Sequence, residues 1–222
     1  RLLTHFARLV DQPGSKEVQE AYQQKDLDFH KQTAEMAGVE RSLAKTIGLG
    51  VMYGMGYHKL ARELDMEPQE AKLMLQDFHA KVPFMKGMLE VVMNRANSKG
   101  VIRTLLGRKC RFDLWEPTSW GVHKALPLNQ AQTEYGMAIK RAHTYKALNR
   151  LIQGSAADQT KKAMVDVYEQ LGIIPLIQVH DELDCSVKNE KEAEKVKEVM
   201  ENCVELEVPS KVDIEVNETW GG

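Results

Sequence analysis

Cysteine is scarce in these 222 residues: Cys110, Cys185 and Cys203 are odd in number and show no C-x-x-C spacing. Neither a disulfide framework nor a zinc site is therefore indicated, which makes a reducing, intracellular setting the default. No run of about 18 apolar residues is present to span a membrane, and no signal-peptide pattern opens the chain. Internal repeats and low-complexity tracts are also missing. So is an initiating Met: Arg1-Leu2-Leu3-Thr4-His5-Phe6-Ala7 begins inside an apolar-periodic segment, so the expectation is a fragment or one half of a split protein.

The formal net charge of −2 hides an uneven distribution. Between Lys99 and Arg150 stand ten Lys or Arg against three acids, whereas from Glu182 to the end twelve acids face five lysines. A basic middle beside an acidic end suits a polyanion held near a carboxylate metal site. Ordinary solvated faces would produce the same asymmetry.

The most informative stretch is Leu176-Ile177-Gln178-Val179-His180-Asp181-Glu182-Leu183-Asp184-Cys185-Ser186-Val187. Gly172 and Pro175 lead into a β-rich run, and a second follows, so the region 173–187 is expected to be a hairpin with His180, Asp181 and Glu182 at its bend. Adjacent carboxylates at a strand tip repel each other, but they suit a hard cation such as Mg²⁺, which takes carboxylate and phosphate oxygens. A solvated hairpin with a polar turn is the plainer alternative.

The second stretch runs from Glu40 to Gly56. Arg41, Lys45, Leu49 and Tyr53 recur every four residues, and each step of four on a helix advances about 40° beyond a full turn, giving one slanting stripe. Two cations near a helix N-terminus can hold a polyphosphate, while the Leu and Tyr pack against a sugar and base. Snorkelling cations on an amphipathic helix are the alternative. Gly48, Gly50, Gly54 and Gly56 weigh against it, since each weakens a helix by roughly 1 kcal/mol unless something approaches the backbone closely.

The set Arg41, Lys45, Tyr53, Gly54 (Arg-x3-Lys-x7-Tyr-Gly) resembles the nucleotide-binding helix of family A DNA polymerases, the DNA polymerase I type. Val179-His180-Asp181-Glu182 is similar to that family's second catalytic-carboxylate motif. Thr104-Leu105-Leu106-Gly107-Arg108-Lys109 resembles its Thr-Leu-x-Gly-Arg-Arg segment. Asn149, Gln153 and Ser155-Ala156-Ala157-Asp158 resemble its Asn-x3-Gln-Gly-x-Ala-Ala-Asp helix, and Asn217-Glu218-Thr219-Trp220 its closing Asn-x-x-Trp. Nearly all of the chain is covered.

The resemblance implies an α+β fold, with mostly helical fingers over 1–142 (nucleotide helix about 39–56) and the C-terminal part of an antiparallel-sheet palm over 143–222. That fold is incomplete without an N-terminal portion. It implies template-directed, two-metal transfer of nucleotides from dNTPs to a primer 3′-hydroxyl, in the cytoplasm of a bacterium or a phage-infected host, with no membrane partner. Asp181 would be one metal-bridging carboxylate, the ligand here shared by two Mg²⁺ ions, with Glu182 a weaker or outer helper. His30, Arg41, Lys45, Leu49, Tyr53 and Gly54 would meet the dNTP; Arg103, Arg108, Asn149, Gln153 and His180 would meet primer–template DNA. Alone, Asn149 and Gln153 read as ordinary exposed amides, and His30 as an ordinary helix histidine.

Three departures stand out. The family's first catalytic aspartate would precede Arg1, so this chain alone is expected to be inactive, with the thumb and that aspartate supplied by another chain or lost. Leu49 stands where the family usually has Phe or Tyr beside the incoming sugar. Tyr145 stands where bacterial members usually have Arg; with the short 30–41 loop, it resembles phage replicative members. The rival function is a non-catalytic, DNA-binding polymerase-like subunit. An unrelated metal phosphohydrolase would need more clustered carboxylates or histidines.

Overall fold

The computed structural model describes residues 1–23, 28–119, 121 and 123–219. Seven helices come first: α1 (Leu2–Leu9), α2 (Ser15–Gln23), α3 (Phe29–Ala37), α4 (Arg41–Met52), α5 (Tyr57–Glu63), α6 (Pro68–Lys81) and α7 (Pro83–Lys99). Pro68 and Pro83 each occupy a first helical turn, where the absent N–H costs nothing and φ is already set. Their interior faces close on a core built from Ile47, Leu60, Phe78, Phe84, Met85 and Met88, all fully buried.

Two small sheets follow. Strands β1 (Val101–Arg103) and β2 (Lys109–Arg111) form an antiparallel ribbon, and β3 (Leu114–Pro117), β4 (Leu126–Pro127) and β5 (Ile139–Arg141) form a second sheet in the order β4-β3-β5. Helix α8 (Leu128–Tyr135) packs against that sheet. At Gly100 the chain leaves α7 with φ +67°, and a Cβ there would lie 2.6 Å from the Arg141 guanidinium. Arg141 in turn donates to the carbonyls of Asn97 (3.1 Å) and Phe112 (2.8 Å) and lies over the Trp115 ring at 4.6 Å. This one side chain ties α7, the ribbon and the second sheet together.

The 25-residue helix α9 (Ala147–Leu171) then runs from the large core to a smaller one. Its first half supplies Leu148 and Leu151 to the helical core; further along, Val167 joins Ile173 and Val196. Strands β6 (Pro175–Val179) and β7 (Glu182–Cys185) make the expected hairpin, and α10 (Glu190–Asn202) lies against α9. The expected cap of α10 is present: the Asn189 side chain accepts from the Glu192 N–H at 3.1 Å. Beyond α10 the chain returns to the start, placing Val208 in the main core and letting the Glu207 N–H donate to His5 Nδ1 at 3.1 Å.

The α+β class holds, but three readings of the local pattern do not: residues 112–135 read as irregular, Lys140–Gln170 as one helix and Lys211–Val216 as a final strand. Within 112–135, β3, β4 and α8 form, because Pro117 and Pro127 fall at strand ends, where their missing N–H breaks no interior ladder. The helical pattern from Lys140 begins only at Ala147, after β5 and a 3₁₀ turn at Thr144–Lys146 introduced by His143 with φ +60°. Lys211 to Val216 alternates in burial as a strand would, yet no described strand lies alongside to pair with it. Trp120 and Trp220 lie outside the described residues. Among the described residues, no helix is long and apolar enough to cross a membrane.

Candidate active site

The cationic half of the site is built where α3 and α4 pack together. Asp28 caps α3, its Oδ1 accepting from the backbone N–H groups of His30 (2.9 Å) and Lys31 (3.2 Å). Its Oδ2 accepts from Arg41 Nε at 2.6 Å, which pins the first residue of α4 beside His30. The Arg41 hydrogen bond, foremost, holds the Asp28 carboxyl below its ordinary range against the opposing effect of burial. His30 is also held below the ordinary imidazole value, first by burial and further by the cations of Arg41 and Lys45, with Asp28 opposing. His30, Arg41 and Lys45 thus share one electrostatic neighbourhood.

The far end of α4 is packed by the chain's own residues. Tyr53 closes the helix and is 54% exposed, and Leu49 one turn earlier is half-buried. Gly54 follows with φ +71°, and a Cβ there would stand 2.7 Å from the Tyr145 carbonyl oxygen and 3.0 Å from its ring. A Cβ on Gly50 would meet the Met55 side chain. The close approach that these glycines allow comes from the chain's own residues, while Gly56 faces open space. Tyr145, 47% exposed, consequently sits next to the end of α4. The two lie 91 positions apart in sequence, and no local pattern announces the contact.

At the other pole, the β6–β7 register places Val179 opposite Glu182, with His180 (φ +54°) and Asp181 as the two-residue bend. His180, Asp181 and Glu182 are all exposed. The hairpin packs on α9, but Ile174, Leu176, Ile177 and Val179 remain exposed to solvent. Asp184 on β7 keeps a buried carboxylate oxygen without a partner. The oxygen donors of Asp181 and Glu182 suit Mg²⁺ in kind. They are too few to enclose it, since among the described residues no group of three His, Cys, Asp or Glu could hold a metal ion.

Between the poles, the loop from Thr104 to Arg108 is locked to α9. Leu105 N–H donates to Ser155 Oγ (2.9 Å), Leu106 N–H to Asp158 Oδ2 (3.3 Å), Arg108 Nε to Asp158 Oδ1 (2.9 Å) and an Arg108 terminal nitrogen to the Gly154 carbonyl (2.8 Å). Asp158 is only 6% exposed. Burial pushes its carboxyl up, but hydrogen bonds from Thr104, Arg108 and Leu106 outweigh this and hold it below the ordinary range. Arg108, expected to face DNA, therefore also anchors its own loop. Asn149 is half-buried and Gln153 exposed on the same helix. Sequence reading missed Asp158 as a structural acid, although an Asp in the helical run Ser155-Ala156-Ala157-Asp158 was a usable signal for a buried carboxylate needing a cation.

The model of DNA polymerase family A matches residues 1–222, and the chain belongs to that family. It is 34% identical to a DNA-directed DNA polymerase of Pseudomonas phage M6, covering all of this chain and 36% of that protein. It is 32% identical to the thermostable DNA polymerase I of Thermus aquaticus over 89% of the chain and 23% of that enzyme. Among solved structures, the POL domain of Pol1 from M. smegmatis, in complex with DNA primer-template and dNTP, superposes with a TM-score of 0.72. That match has 29% identity and covers 94% of this chain and 36% of the other. The chain thus spans about a quarter to a third of the length of these relatives.

Proposed function

We propose that the chain is the C-terminal part of a DNA-directed DNA polymerase that extends a primer 3′-hydroxyl with dNTPs under template direction. Residues 1–142 act as fingers and 143–222 as the closing part of the palm. The observation that carries this reading is the grouping of Arg41 and Lys45, on the first two turns of α4, with His30 on the first turn of α3, Asp28 holding Arg41 beside His30. Two cations and an imidazole so placed are suited to a triphosphate and to the charge that develops on its leaving pyrophosphate. The M. smegmatis complex with primer-template and dNTP supports the same partners here.

In this reading Lys45 and Arg41 grip the phosphates and His30 steadies them as a neutral donor. Leu49 lies beside the sugar, and Tyr53 closes the pocket near the templating base, with Gly54 letting the chain turn away. Asn149 and Gln153 offer amides to the minor-groove edges of the primer–template, where the pattern is nearly the same for every pair. Arg103 and Arg108 serve its phosphates, and His180 the primer terminus. Asp181 and Glu182 would give oxygen ligands to bound Mg²⁺, which in such sites neutralises phosphate charge and lowers the pKa of a coordinated hydroxyl. The remaining ligands come from an N-terminal portion bearing the first aspartate, so the chain by itself is inactive.

Primer extension by the chain combined with that portion tests the reading. Asp181→Ala should reduce extension by at least about 10³-fold, the scale of losing a transition-state electrostatic contact, while primer–template binding persists. Undiminished extension by the variant would remove Asp181 from the site. Binding without any extension by the combined wild-type polypeptides would instead favour a non-catalytic DNA-binding subunit.

A further inference from the structure

The acid at the centre of the cationic pole has no part in the chemistry assigned above. Its position is fixed from two sides. Phe29, the next residue, packs against the helical core, stacked on Tyr22 with 6.4 Å between ring centroids and edge-on to Phe84 at 6.3 Å. One oxygen of the Asp28 carboxylate is held by the His30 and Lys31 N–H groups as the cap of α3. Holding that oxygen fixes the carboxylate plane, and the second oxygen meets Arg41 Nε at 2.6 Å.

This pair is too exposed to matter much for folding. The Arg41 and Asp28 side chains keep 56% and 37% of their surface in solvent, and exposed ion pairs contribute little to stability. Its geometry is more telling. A guanidinium carries its N–H donors in a rigid planar fork, and here only Nε is engaged. Among the described residues, neither terminal nitrogen of Arg41 has a protein acceptor. With Nε pinned, the direction of the fork is set and its terminal nitrogens are left for an anion.

We infer that Asp28 is a positioning residue of the polymerase site, which aims the Arg41 guanidinium so that its terminal nitrogens meet the phosphate oxygens where charge grows as pyrophosphate departs. The inference rests on the polymerase reading and gives a role to a residue with none in the reaction there. Two effects of this acid oppose each other. Its negative charge weakens the general attraction for a polyanion. The orientation it imposes strengthens a contact in the transition state, where preorganised donors act. Removing the acid should therefore lower kcat without raising KM, the mark of an interaction made only in the transition state.

Asp28→Asn separates the cap from the pin. Asn caps a helix as well as Asp does, but its one side-chain oxygen goes to the His30 and Lys31 N–H groups and leaves an amide donor facing Arg41. Urea unfolding should stay close to wild type. Single-nucleotide insertion by the chain combined with its N-terminal portion should lose roughly 10- to 100-fold in kcat, with KM for dNTP unchanged or lower. Asp28→Ser, whose hydroxyl caps but is too short to reach Arg41 as well, should behave alike. In an Arg41→Ala background, Asp28→Asn should change kcat by less than about twofold, because its effect passes through the missing guanidinium. Inorganic tripolyphosphate titrated into the full chain by calorimetry should bind Asp28→Asn at least as well as wild type. An unchanged or higher kcat in both folded variants, an equal loss in the Arg41→Ala background, or weaker tripolyphosphate binding with a raised KM overturns the positioning role alone. A wild-type chain that neither binds tripolyphosphate nor supports insertion overturns the polymerase reading with it.

Discussion

Replacing Gly54 by Ala should damage both the stability of the chain and the placement of Tyr53. Gly54 has φ +71°, and the left-handed region costs a residue bearing a Cβ about 1–2 kcal/mol. The new methyl would also stand 2.7 Å from the Tyr145 carbonyl oxygen. That oxygen is backbone in the 3₁₀ turn just before α9, so it cannot rotate away as a side chain could. Overpacking of this kind typically adds about 1–3 kcal/mol. The combined loss should be about 2–5 kcal/mol, or roughly 4–20 °C in Tm for a chain of this size. Gly54→Asn separates the two causes, because Asn tolerates left-handed φ but brings the same Cβ. Its loss should be smaller than that of Ala by about 1 kcal/mol, yet still measurable. Urea unfolding gives the energies, and the KM for dNTP in the reconstituted enzyme reports the displaced Tyr53. If both variants unfold within about 0.5 kcal/mol of wild type, the packing of Gly54 on Tyr145 has been misread.

Other perturbations lead to equally specific outcomes. Asp158→Asn should cost about 2–3 kcal/mol at neutral pH, less than a fully buried pair because Arg108 remains half-exposed to solvent. Since the folded Asp158 titrates below its ordinary value of 3.8, its contribution is complete above that value and lost as pH falls through the lower folded one. Urea midpoints between pH 5 and about 2.5 should therefore fall less steeply in the variant than in wild type. His5 is depressed below 6.5 by burial, with Glu207 opposing, and it accepts the Glu207 N–H as a neutral ring. Its stabilisation is full above 6.5 and lost as pH falls through the depressed value, so the protection of the Glu207 amide, relative to its intrinsic exchange rate, should fall in mild acid. Exchange at that amide with no pH dependence beyond the intrinsic rate would show that His5 does not hold the returning segment. Lys45→Ala should raise KM for dNTP and lower kcat in single-nucleotide insertion while leaving Tm within about 0.5 kcal/mol equivalent of wild type, because Lys45 is exposed. A loss of stability without a kinetic effect would place Lys45 in structure only.

Local chemistry was legible in the sequence wherever it is repeated along a single element. The four-residue recurrence from Arg41 to Tyr53 is one helix and its closing residue, and the polar triplet between β-rich runs is one bend. Features made by distant residues were not legible. Arg108 and Asp158 are fifty positions apart, and Gly54 gives no hint that Tyr145 fills the space its missing side chain leaves. The β4-β3-β5 sheet was hidden because its strands are two to four residues long and two of them end in Pro. Alternation misled in the opposite direction at 211–216: an extended run becomes a strand only when a neighbour accepts its hydrogen bonds, and none of the described strands does.

The β6–β7 hairpin has a practical bearing on handling the molecule. Leu176 is 67% exposed, and among the described residues only two strands share the sheet, so neither outer edge has a described strand beside its greasy side chains. Such an edge recruits whatever extended polypeptide is at hand, including another copy of itself. Concentrated stocks of the isolated chain should scatter light and elute early from a sizing column. A polypeptide that lays its own strand along this edge would act as its chaperone.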